Sequence, residues 1–187
     1  MIDTIILGIS ITLMYSSPLL FSALGGVITQ RAGVDNIGIE GMMAFGAFCG
    51  SSIGYATANP WLGFLAGGLG GALLATFHAF AAINLRASQT ISGVAINFIG
   101  PGLALFLCRL QFDGGAKSPP VPNKMPNILD LFGIKSQGLL NINVTVIIAI
   151  LVAVVMWFVL YKTKWGLRIL ACGEQPAAAD TLGVNVY

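Results

Sequence analysis

Charge is what this sequence has least of. Only 9% of its 187 residues are Asp, Glu, Lys or Arg, against about a quarter in soluble domains, while 56% are hydrophobic. That balance describes an integral membrane protein. The formal net charge of +2 is small and dispersed, which argues against a nucleic-acid partner. Histidine occurs once, at His78. Cys49 and Cys108 lie in apolar segments and Cys172 follows a basic run, with no CxxC pair, so neither a metal site nor a disulfide framework follows. There is no Ser/His/Asp or paired-carboxylate constellation to support an enzyme. A G-x-x-x-x-G-K-[ST] phosphate loop is also missing, so no bound cofactor is expected on this chain. The first apolar segment follows Asp3 without a basic leader region or a small-residue cleavage site, and it reads as a span, not a removable signal.

What the chain does have is long apolar runs and 24 glycines distributed through them. Five spans are expected, at about 2–28, 37–56, 61–85, 89–108 and 142–161, each near the roughly 20 residues that cross a 30 Å hydrocarbon core. The fold class is therefore all-α, a polytopic transmembrane bundle over 1–161 followed by a cytoplasmic segment over 162–187. Pro18 marks a kink in the first span. Gly46, Gly50 and Gly54 in the second span and Gly63, Gly67 and Gly71 in the third each repeat at intervals of four, two small-residue faces suited to close packing. Asn59 and Pro60 separate these spans. His78 on the third is expected to hydrogen-bond a neighbouring helix.

Two polar stretches interrupt the apolar pattern. Gln30 to Met43 places Asn36 and Glu40 four apart, on one helical face. A carboxylate at membrane depth costs about 2.5–3.5 kcal/mol on insertion scales and usually faces protein or water. Glu40 thus reads either as part of a solute pathway or as a solvated helix-start charge favoured by the dipole. In the fourth span Gln89, Gly93, Asn97 and Pro101 follow at intervals of four. Side-chain amides beside a breakable helix suit a membrane binding site, and equally suit a contact between helices. Neutral amides match a solute rich in hydrogen-bond donors and acceptors better than a fixed ion.

Residues 111–141 are polar and proline-rich, an extramembrane loop with a short apolar dip at 128–132. The last span is Val- and Ile-rich, and Lys162, Lys164 and Arg168 follow it closely. The positive-inside rule places them, with Arg31 and Arg86, in the cytoplasm and the N-terminus outside. In the tail, Pro176 begins a short helix and Gly183 ends it in a left-handed conformation.

Three stretches, GGVITQRAGVDNIGIEGMMAFGAF, LRASQTISGVAINFIG and GLRILACGEQPAAADTLGVNV, taken in order and spacing, resemble the inner-membrane permeases of ABC importers of the branched-chain amino acid and simple-sugar class, above all their nucleoside-uptake branch. The likeness covers essentially the whole chain. It implies a multi-pass permease subunit of the bacterial inner membrane, surrounded by lipid, paired with a second permease subunit, fed by an extracytoplasmic solute-binding protein and driven by ABC ATPase subunits that hold the ATP. Gly173, Glu174, Ala178, Ala179, Asp180 and Gly183 match the family's cytoplasmic coupling loop, and Asn36, Glu40, Gln89 and Asn97 match its polar-lined segments as pathway residues. Family members continue beyond the coupling loop into further spans, so the chain reads as the N-terminal part of such a permease. The rival readings are a secondary transporter or channel with Glu40 as its protonatable group, and a non-transporting membrane assembly subunit.

Overall fold

The structure is a computed structural model that describes residues 2–128, 142–184 and 186. Its regular elements are α-helical: α1 (Ile2–Arg31), α2 (Ile39–Thr57), α3 (Pro60–Ala79) running into a π-helical turn (Phe80–Asn84), α4 (Gln89–Gln111), α5 (Val144–Lys162), α6 (Lys164–Glu174) and α7 (Pro176–Thr181). They fall into two compact units, Val34–Lys124 and the residues up to Gly33 together with Met125–Val186.

Among the described residues, four helices are long and apolar enough to cross a membrane: α1, α3 with its π turn, α4 and α5. The chain is accordingly a multi-pass membrane protein. The expected second span forms a 19-residue helix, α2, but is not among the four. Glu40, Ser51, Ser52 and its glycines lower its apolarity, which a helix packed between two others tolerates. Of the expected dip at 128–132, only Ile128 falls within the described residues.

In the unit formed by Val34–Lys124, α2 lies against α3 and α4. The two glycine faces meet as the period of four requires. A Cβ on Gly50 would come within 3.0 Å of Gly63 O, and one on Gly46 within 2.7 Å of Gly67 O. The two helices run antiparallel along this seam, and in lipid such backbone-to-backbone packing is a main source of helix association. The seam against α4 is tighter. A Cβ on Gly41 would strike Ile96 O, and one on Gly100 would strike Gly41 O. Met42, Phe45, Leu74 and Ile96 fill the space between the three helices.

The ends of these helices are set locally. Asn59 caps α3 by accepting from Trp61 N at 3.0 Å, with Pro60 in the first helical position. Ser88 caps α4. The third span expected to 85 is α-helical only to Ala79, and the π turn carries the chain from there to Asn84. His78 is buried, 3% exposed, and its Nδ1 lies 3.0 Å from Ser92 Oγ on α4, the interhelical bond expected of it.

In the other unit, α1 packs on α5 and α6. Pro18 does not break α1, and the reason is one residue away. Proline removes the bond to Met14 O, and Ser17 Oγ donates to that same carbonyl at 3.1 Å. Ser17 also lies 3.4 Å from Thr145 Oγ1 on α5. At the end of α5, Thr163 Oγ1 donates to Val159 O at 2.6 Å and accepts from Gly166 N at 3.3 Å, so one side chain closes one helix and opens the next. The sequence expectation for 162–187 is a helix only from Pro176, and α6 is an additional one.

Candidate functional site

Three of the four expected pathway residues converge on the segment that leads into α2. Gln89 Oε1 accepts from Asp35 N at 2.8 Å. Asn97 Oδ1 accepts from Gly41 N at 2.8 Å and its Nδ2 donates to Ile37 O at 2.9 Å. The N-cap position of α2 is Gly38, which offers no side chain to the first amides of the helix. Asn97 supplies that cap from α4, satisfying an amide that would otherwise be stranded among apolar groups. Gly93 allows the approach, since a Cβ there would lie 3.1 Å from Gly38 N.

Asn36 stands inside this loop. Its Nδ2 donates weakly to Met42 Sδ at 3.7 Å, and its Oδ1 is buried without a hydrogen-bond partner among the described residues. A buried carboxamide oxygen without a donor is uncommon enough to require a reason. Glu40 is exposed in the first turn of α2, at the positive end of the helix dipole. The structure therefore brings Asn36, Gln89 and Asn97 together about residues 35–41 and leaves the Glu40 side chain outward. Sequence reasoning missed the cap itself, although a helix start with glycine at its cap position signals that a donor must be met from elsewhere.

The second expected cluster is the tail. Gly173 is fixed against the end of α1, where a Cβ would strike Arg31 O and lie 3.0 Å from Gly33 N, and Gly33 turns there with φ +80°. Gly173→Val is expected to detach α6 and α7 from α1, read as faster proteolysis after 162 with the spans intact. Beyond it, α7 starts at Pro176 and ends as anticipated, with Gly183 at φ +78° and Val184 N donating to Ala179 O at 3.1 Å. Ala179 is 3% exposed and faces the chain itself. The outward edge is Glu174, Ala178, Asp180, Gly183 and Leu182, the last 84% exposed.

The family model described as "branched-chain amino acid transport system / permease component" matches residues 8–187. The chain belongs to this family. Both clusters fall inside the permease-component match. Among relatives, the chain is 44% identical to the guanosine ABC transporter permease protein NupQ of Bacillus subtilis, over 94% of this chain and 58% of that protein. It is 38% identical to the nucleoside ABC transporter permease protein NupC of Lactococcus lactis subsp. cremoris, over 100% of this chain and 62% of that one. It is 38% identical to the putative glucose ABC transporter permease protein TsgC13 of Haloferax volcanii, over 94% and 54%. The chain thus spans about three-fifths of the length of these permease components. No solved structure matches it.

Proposed function

We propose that the chain acts as a membrane permease subunit, or the N-terminal part of one, in an ATP-driven importer of nucleosides or simple sugars. The observation that carries this reading is the similarity, over nearly the whole chain, to permeases named for guanosine, nucleosides and glucose. The geometry adds a division of labour. Gln89 and Asn97 hold residues 35–41 onto α4, and Asn36 Oδ1 is the acceptor left for an N–H or O–H of the solute when the helices shift. Glu40 lies at the mouth of the same segment.

The ATP would be hydrolysed on separate ATPase subunits. Alternation between inward- and outward-open states needs helices that move as units, and the α2–α3 and α2–α4 glycine seams make α2, α3 and α4 such a unit. A second permease chain and an extracytoplasmic solute-binding protein complete the importer. The basic residues Lys162, Lys164 and Arg168 beside the end of α5 support a cytoplasmic tail by the positive-inside rule.

The surface that meets the motor is the outward edge Glu174, Ala178, Asp180, Leu182 and Gly183. Co-purification of the ATPase encoded beside this chain tests it. A leucine fully buried on docking is worth about 1.5–3 kcal/mol, so Leu182→Asp is expected to weaken capture roughly tenfold or more. Combined charge reversal of Glu174 and Asp180 should lower it further. Undiminished capture by both variants, with the spans still folded, would sink the coupling assignment.

A further inference from the structure

We propose that α6 and the last turn of α5 form a binding site for anionic phospholipid headgroups at the membrane surface. The site does not depend on which solute is carried. Helix α5 is a membrane span by length and apolarity, with 19 residues ending at Lys162. Its end is therefore close to the boundary of the hydrocarbon. The turn that follows is too tight to carry α6 away from that boundary. Thr163 bonds both helices, and a Cβ on Gly166 would strike Val159 O and Leu160 O. The first turn of α6 is thus packed on the last turn of the span.

The faces of α6 then follow from a rotation of about 100° per residue. Gly166 and Gly173 lie on one side, the first against α5 and the second against the end of α1. Lys164 and Arg168, one turn apart and both exposed, lie on the opposite side. Trp165 and Leu167 flank them on either edge and are 73% and 62% exposed. Lys162 adds a third cation, its Nζ 5.7 Å from the centre of the Trp157 ring. The only acid in α6 is Glu174, at the far end.

Three cations near the end of a span, bracketed by a tryptophan and a leucine, match a bilayer surface in every part. The headgroup phosphates meet the cations, and the indole and the leucine enter the acyl boundary beside them. An ATPase groove would instead have to bury Trp165 and Leu167 while neutralising the cations between them. The motor-facing edge assigned above lies on α7 and its flanks, so the two surfaces fail or hold separately.

Native mass spectrometry of the full chain in mild detergent tests the site, with phosphatidylglycerol and phosphatidylcholine offered in separate samples. Phosphatidylglycerol should be retained preferentially. Replacing Lys162, Lys164 and Arg168 together by glutamine should weaken that retention on the order of fivefold per cation, so roughly a hundredfold in all, the weight of basic residues at an anionic surface. Neutralising the exposed loop lysines Lys117 and Lys124 should change nothing. The charge-keeping set Lys162→Arg, Lys164→Arg and Arg168→Lys should bind as the native chain does, which guards against misfolding as the cause. Equal retention of the two lipids would overturn the proposal. So would a neutralised variant that keeps phosphatidylglycerol and loses a co-expressed ATPase, since the face would then belong to the motor.

Discussion

Replacing Gly100 by alanine is expected to abolish or sharply reduce recovery of folded protein, whereas the same change at Gly102 should be tolerated or slightly stabilising. A Cβ on Gly100 would clash with Gly41 O and approach Gly41 Cα to 2.7 Å. Those are backbone atoms, so no side-chain rotation relieves the overlap and the helices must separate. Overpacking in ordinary cores costs about 1–3 kcal/mol. Separation here also pulls Asn97 from Gly41 N and Ile37 O, which places the cost at about 3 kcal/mol or above. No water-driven force opposes it, because lipid tails are as apolar as the side chains they replace. Gly102, two residues further along the same helix, has nothing within 4 Å of its would-be Cβ. Alanine there gains up to about 1 kcal/mol of helix propensity. Monodisperse yield in detergent and the thermal midpoint of each variant decide the matter. Matching behaviour at the two positions would show that α2 and α4 do not cross at Gly41 and Gly100.

Asn97→Leu carries the second large expected effect. Leucine keeps the branching at Cγ, adds some bulk and removes both hydrogen bonds to residues 37–41. Each backbone group left unpaired away from water costs about 1–3 kcal/mol, so a loss of roughly 2–4 kcal/mol is expected in unfolding from detergent. Asn97→Asp keeps the acceptor for Gly41 N beside the positive end of α2 and loses only the donor to Ile37 O, so it should fall between native and leucine. The series separates a holding role from a solute-contacting one. If Asn97→Leu leaves the unfolding midpoint unchanged and removes only uptake by the assembled importer, Asn97 touches solute and does not hold α2.

The two glycine seams show which contacts a sequence discloses. Gly46, Gly50 and Gly54 repeat with the helix, as do Gly63, Gly67 and Gly71, so each face is visible before any partner is known. The crossing with α4 joins Gly38 and Gly41 to Gly93 and Gly100, spaced three apart on one side and seven on the other. No single period marks it. His78 was legible for a related reason: a lone imidazole among apolar residues must find a partner, and a neighbouring helix is where partners are. Asn97 was visible as a polar residue on a helical row, but its partners are backbone atoms, which leave no complementary side chain to read. Ala179 illustrates the opposite case. It was expected on the coupling surface, and the structure buries it at 3% exposure, leaving Leu182 as the exposed large apolar side chain next to α7.

The sequence by itself determined that this protein is a helical membrane protein, where most of its helices begin, and which family it belongs to. Those properties depend on composition, on capping residues and on periods of three or four, all local in the chain. Only the tertiary structure decided that α2 is capped from α4, that Met14 O is satisfied beside Pro18, and which edge of the tail faces outward. It also disclosed α6, whose order rests on Thr163 and on two glycine contacts. Each of these is a contact between groups whose types do not name each other. Their pairing is set by where the helices cross.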